Sequence, residues 1–425
     1  MKSISSFIIG FFIVVLSLSN DTQAQQNRDS ILIVHDSIFM PQRLYEDSVR
    51  AVENQQKLEE FLKIKADTVK SIQLSKLDLQ TVPELTSFQE AKIVYLGGNQ
   101  IPKIKKSVWP ESDSLKTIVL SSNQLKRIGF KKNQSITNLD LSENKLKRIP
   151  RSIRKLKHLK HLDLSKNEIK RIPCFIKNMD SLIELKLNYN QIKSLNKRDI
   201  RKLKNLRSIH MGANMISKLP DNLDLLTKLE TLNLGINQIN EVPASFSHLE
   251  NLEHLIFYKN IFTAIPEEVW ELKELKEIDF YHNQISEIPE QIGNAKALEQ
   301  VYLAYNQITV IPDTLFELPI LKALYLHHNE IIMVSNGLTH LQNLLYLDLG
   351  YNLIFEFPDL SEMTKLIEID LQENSLSEFP YELTEIKSLR KIYLMGNSFV
   401  MTKEERAEMQ KLREELLELD IRLFF

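Results

Sequence analysis

The sequence predicts an α/β solenoid of stacked repeats, and three observations predict it. An asparagine returns about every 23 residues: Asn99, Asn123, Asn144, Asn167, Asn190, Asn214, Asn237, Asn260, Asn283, Asn306, Asn329, Asn352, Asn374 and Asn397. Their separations are 24, 21, 23, 23 and 24, then six steps of 23, then 22 and 23. Around each lies the frame L-x-x-L-x-L-x-x-N-x-L, as in LKHLDLSKNEI at residues 159–169. The second half of the unit reads I-P-x-x-I-x-x-L, as in IPRSIRKL at residues 149–156. A fixed period of this length decides the architecture before any other feature is weighed.

Each residue class in the unit has a mechanical reason. The L-x-L alternation sends two apolar side chains to one face of a short strand. Stacked repeats bury those faces in one continuous core. Asparagine carries two donors and an acceptor, so it satisfies backbone groups where the chain turns inside that core. In the second half, apolar spacing of three fits a 3₁₀ turn or one short helical turn, with proline presetting φ at its start.

These residues resemble those of leucine-rich repeat proteins, in the bacterial secreted type built on 23-residue I-P-x-x-I-x-x-L units. The resemblance covers residues 69–399. It implies a right-handed horseshoe with a parallel sheet on its concave side. Residues 69–79, VKSIQLSKLDL, carry the frame with Leu77 in place of asparagine. They read as an opening repeat, giving about 15. Gly129, Asn196 and Ser335 stand near the place of the usual proline in three units.

The flanks follow in chain order. Residues 1–24 read as a signal peptide: Lys2 supplies the charge, residues 7–18 the apolar run, and Thr22, Gln23 and Ala24 a cleavage site. The run is too short to favour a membrane span. Residues 25–68 form an N-terminal segment whose helix, over residues 42–65, is expected to cap the first repeat with Leu58, Phe61 and Leu62. Residues 400–425 form a C-terminal cap. There Thr402 and Glu405 make a capping box that starts a helix. Leu417, Leu419, Ile421, Leu423 and Phe425 then alternate at strand period, predicting a last strand that closes the sheet edge.

Composition narrows the function. The net charge of -2 gives no overall pull toward nucleic acid, and a single cysteine, Cys174, excludes an intramolecular disulfide. Lacking the Cys-rich caps of animal extracellular relatives, the chain points to a bacterial source. Nucleophile elbows, phosphate loops, zinc spacings and kinase signatures do not occur, and ten glycines form no phosphate-cradling loop. No catalytic residue, metal site or cofactor is expected.

The third, fifth, seventh and eighth frame positions are expected to face the concave side or its rim. Ten of the twelve tyrosines stand there, seven of them on five successive repeats. Tyrosine combines a rigid apolar ring with a hydroxyl, which binding surfaces favour. The expected partner-binding residues are Tyr258, Asp279, Tyr281, His282, Tyr302, Tyr305, Tyr325, His327, His328, Tyr346, Asp348 and Tyr351. Charge is also segregated. Residues 126–207 hold 24 Lys and Arg against 7 Asp and Glu, whereas residues 221–385 hold 7 Lys, no Arg and 28 acids.

The sequence therefore predicts an exported protein of the periplasm, outer surface or medium that catalyses nothing and binds a protein on its concave face. Two other readings stay open: a glycan or anionic-polymer binder, of lipopolysaccharide-like ligands for example, and a specificity module for a separate enzyme. Oligomeric state is not legible.

Overall fold

The L-x-L alternation becomes a three-residue strand in each repeat. In His161–Asp163, Leu162 is buried between half-exposed neighbours, and the same pattern recurs along the stack. A computed structural model describes residues 42–64, 66–400 and 402–425; the predicted signal peptide lies outside the described residues. The chain divides into two compact units, Met1–Glu59 and Glu60–Phe425.

Among the described residues the second unit holds a 16-stranded sheet, every pairing in it parallel. Fifteen strands belong to the repeats, and Arg422–Phe424 adds the sixteenth by pairing with Lys391–Tyr393. Equivalent frame positions stand opposite each other along the sheet, as Leu162 does to Leu185.

The second half of most units forms a short 3₁₀ turn such as Arg151–Lys155 or Cys174–Asn178, entered through Pro150 and Pro173. In two of the units without that proline, a side chain takes over. Asn196 caps helix α2 (Lys197–Leu203) in a capping box with Asp199. Ser335 accepts from the Gly337 N–H at the start of Asn336–His340. The Gly129 unit makes no such turn; Arg127–Ile128 pairs instead with Lys103–Ile104.

The asparagines link each repeat to the one before it. Asn167 accepts from the Leu146 N–H at 2.9 Å and donates to the carbonyls of Leu141 and Leu164 at 2.9 and 3.0 Å. Asn237 and Asn260 repeat this arrangement. The residue before each asparagine has left-handed φ, between 51° and 59° at twelve non-glycine positions from Ser122 to Glu373 and about 70° at Gly98 and Gly396.

Both flanking helices form, with two corrections. Helix α1 spans Gln42–Lys63, but of its expected apolar cluster only Phe61 is buried, stacked on Phe88 at 5.0 Å; Leu58 is half-buried and Leu62 exposed. Helix α3 spans Lys403–Glu418 and opens with the Thr402–Glu405 capping box. It buries Met409 and Leu416 and runs through Leu417, so the final strand is only three residues long. Leu417 and Leu419 are exposed, because helix and turn absorb the residues that strand alternation had claimed.

Candidate functional site

In-register pairing sets the fifth frame position of successive repeats into one row. Its order is Asp279, Tyr302, Tyr325, Asp348 and Asp370. Beside it the third position gives Glu277, Gln300, Ala323, Tyr346 and Glu368. Equivalent residues on neighbouring strands lie roughly 5 Å apart, so their rings must stack or diverge. Tyr302 and Tyr325 stack, 5.0 Å apart and 4° from parallel, and the Tyr302 hydroxyl donates to Gln300 Oε1 at 2.7 Å. Small Ala323 stands between Gln300 and exposed Tyr346 in the third-position row.

The eighth position makes a second row along the rim. His282, Tyr305, His328 and Tyr351 all have left-handed φ. Their rings form a continuous stack with centroids 5.4, 4.0 and 4.2 Å apart. The seventh position joins in. Tyr281 meets Tyr305 edge-on at 5.1 Å and His327 at 6.1 Å, although Tyr281 and His327 are two repeats apart. The intervening seventh position is Ala304, too small to separate them. Ring contacts thus link Tyr281, His282, Tyr305, His327, His328 and Tyr351 into one network, with Tyr302 and Tyr325 as a separate pair.

Tyr258 and Tyr346 belong to neither ring cluster. Tyr258 instead occupies the space above Gly235, where a Cβ would lie 2.2 Å from its ring. Beneath this end of the site the core is itself aromatic: Phe257 packs against Phe246, Phe262 and Phe280 at 6.1, 5.0 and 5.5 Å.

Burial shapes the site's electrostatics. It pushes the phenols of Tyr258, Tyr281, Tyr302 and Tyr325 up, so they remain neutral hydroxyl donors at ordinary pH. Burial also pushes the Asp279 carboxyl up to about 6, against the Tyr281 N–H that bonds it. Asp370 rises to about 6 for the same first reason. His328 is held below its usual value by burial, then by His327. His327 Nδ1 lies 2.8 Å from Asp348 Oδ2. The two atoms are close without making a hydrogen bond, and buried His327 Nδ1 has no hydrogen-bond partner.

Two features escaped the sequence reading. Asp279 and Asp348 are not simply free acceptors: each bonds a backbone N–H two residues on, of Tyr281 at 2.9 Å and Gly350 at 3.2 Å. Asp140, Asp163, Asn233 and Asp370 do the same in other repeats, so this is a turn device. The second feature is an exposed apolar strip just past the asparagines: Val310, Ile332, Met333, Leu353 and Phe355. Ile332 and Phe355 hold equivalent places on adjacent repeats, joined by a hydrogen bond from the Phe355 N–H to the Ile332 carbonyl at 3.2 Å. The signal for it was apolar residues at frame positions ten, twelve and thirteen, filled mostly by polar residues elsewhere.

Among the described residues, no three His, Cys, Asp or Glu side chains gather as a metal site, and no helix is long and apolar enough to cross a membrane.

Known proteins place this geometry in context. A family profile described as a leucine-rich repeat region matches residues 184–283, and another described as leucine rich repeat matches residues 129–169 and 296–354. A leucine-rich repeat protein of Leptospira interrogans is similar in structure, with 27% identity and a TM-score of 0.70, covering 87% of this chain and 98% of that one. An internalin of Listeria monocytogenes matches at 20% identity and a TM-score of 0.60, covering 80% of this chain and 87% of that one. A plant peptide hormone receptor, solved in complex with RGF2, matches at 22% identity and a TM-score of 0.51 over 74% of this chain and 64% of the receptor. No curated protein matches the chain in sequence.

Proposed function

Since the chain is a leucine-rich repeat protein, we propose that it is a non-catalytic scaffold of the bacterial envelope or exterior that binds a protein partner on the open, concave face of its sheet. The observation that carries this reading is the half-exposed aromatic network on repeats that also present Asp279 and Asp348. Tyrosines held by stacking are ordered before a partner arrives, so binding them loses little side-chain entropy. The carboxylates favour a partner that brings cationic groups, and the ring surfaces one that brings apolar groups beside them.

Ring orientation favours protein over sugar at this face. A sugar stacks on a free ring face, whereas Tyr305 and His328 turn their faces to each other and to His282 and Tyr351. Their edges and hydroxyls are what a partner meets. The plant receptor solved with RGF2 supports partner binding by a chain of this fold. The exposed Met333 and Phe355 extend the contact surface beyond the aromatic rows.

The test is a photo-crosslinking residue placed at Tyr302 or, as control, at Thr117 on the open face of an early repeat. Crosslinking in the native organism is expected to yield one discrete protein adduct from the Tyr302 position and none from Thr117. Tyr302→Ala with Tyr325→Ala should abolish capture while leaving the melting temperature within a few degrees, a loss of about 2 kcal/mol or more in binding. Capture from Thr117 alone would move the site to the other half of the stack, and unfolding of the double variant would make those rings structural.

A further inference from the structure

On the turn side of the early repeats, a groove of about 510 Å³ is lined by Lys132, Arg154, Lys155, Lys157, Phe175 and Asn178. It opens where the stack is irregular. The step from Asn123 to Asn144 is 21 residues, the shortest in the chain. That unit, like the one before it, lacks the 3₁₀ turn that begins with the next unit at Arg151–Lys155. The turn Arg151–Lys155 therefore stands beside a shortened unit that has no turn, and Cys174–Asn178 follows it in the stack. An isolated bridge between Asn133 and Leu156 sets Lys132 alongside the residues flanking Leu156, which are Lys155 and Lys157.

The charges lining this groove differ from those along the sheet edge. Along the sheet edge, lysines pair across strands with acids: Lys276 with Glu253, Lys322 with Glu299 and Lys391 with Glu368, all within 3 Å. Among the described residues, Lys132, Arg154 and Lys157 have no acid within ion-pair distance, and Lys155 Nζ donates only to the Phe130 carbonyl at 3.3 Å. Four cations converging without counter-charge raise a local positive potential that an anion relieves. An amide and an aromatic ring stand among them, so the lining offers more than charge.

We propose that this groove binds an anionic glycan, a sugar chain bearing phosphate or sulfate groups. Lysine contacts such groups as a mobile point charge, and Arg154 can grip two oxygens at once. Phe175 supplies the apolar surface that sugar carbons pack against, and Asn178 pairs with hydroxyls. Single-stranded nucleic acid fits less well, because its grooves use a succession of aromatic platforms and this one has a single ring. The site is independent of the aromatic face on the sheet.

The test uses the full chain with two anionic probes, a heparin hexasaccharide and phosphomannopentaose, measured by calorimetry and thermal shift. Neutral dextran, inorganic polyphosphate, polyglutamate and oligothymidylate of matched charge are the comparisons. At least one anionic glycan should bind and raise the melting temperature, since a ligand that binds only the folded chain stabilises it. Arg154→Glu with Lys157→Glu should weaken it on the order of tenfold or more, with the milder Arg154→Gln and Lys157→Gln pair as a check if the reversal disturbs folding. Phe175→Ala should weaken glycan binding and leave polyphosphate binding unchanged. Tyr302→Ala with Tyr325→Ala should bind glycan as the parent does. Equal binding of every polyanion with Phe175→Ala silent, tighter binding of oligothymidylate or polyglutamate, or no glycan binding at all would each overturn the proposal.

Discussion

Single residues carry the fold through hydrogen bonds that only certain side chains can make. Asn237 accepts one backbone N–H and donates to the carbonyls of Met211 and Leu234, all inside the stack. Asn237→Leu keeps the branched outline of the side chain and removes every hydrogen-bond partner, so thermal melts should register a loss on the order of 1–3 kcal/mol; a neutral result would mean the ladder carries no stability. Asp279 makes a different prediction. Its folded value of about 6 stands above the ordinary 3.8, so the folded chain holds more protons than the unfolded one between those values. Stability therefore falls as pH rises through that window and is level above it. Asp279→Asn should remove that part of the slope and melt above the parent at pH 7, with little difference near pH 4. Asn233, which already bonds the Gly235 N–H from the equivalent position, shows that an amide can fill the role. The asparagine period was legible in the sequence. The turn role of Asp279 was not, because aspartate at a strand end looks the same whether its oxygen is free or bonded.

At the scale of the element, the repeat hides a conformation its residue types do not announce. Lys166, Tyr189 and Ile236 all have left-handed φ just before the asparagine, and none of them favours it. The Asn bonds on either side fix the turn and impose it. Ala213 shares this conformation and has no side chain beyond Cβ. Ala213→Gly should therefore relieve strain and stabilise the chain by up to about 1 kcal/mol, the gain reduced by the freer unfolded glycine. A melting temperature below the parent's would mean the turn is not strained there. At Tyr305 the same backbone conformation aims a ring along the rim, which is why an arrangement of stacked rings arises from a turn. Sequence position located these rings but not their partners. The meeting of Tyr281 with His327 depends on Ala304, one repeat from each, and the exposure of Leu353 and Phe355 depends on where the chain leaves the strand.

Across the whole molecule, the number of repeats, the parallel sheet and the helix-strand end were legible because period and alternation are collective signals. The groove beside Lys132 was not, since a two-residue deficit in one spacing has no meaning until its neighbours are stacked against it. Export is tested at this scale: protein recovered from the native host should begin near Gln25, and an intact Met1 in a cytosolic fraction would overturn the assignment. The asparagine bonds also have a direction. Each amide reaches back, Asn167 to Leu141 and Leu146, Asn190 to Leu164 and Ile169, so every repeat is completed by the one that follows it. Leu77 stands where an asparagine would otherwise be, in the repeat whose strand Ser71–Gln73 is the first of the sheet among the described residues, while Asn99 serves both the Leu77 and Leu79 N–H groups. A chain emerging from the ribosome N-terminus first thus receives each rung's missing bonds in the order of synthesis. At any length of stacked chain, the last rung is the one whose asparagine bonds are still missing.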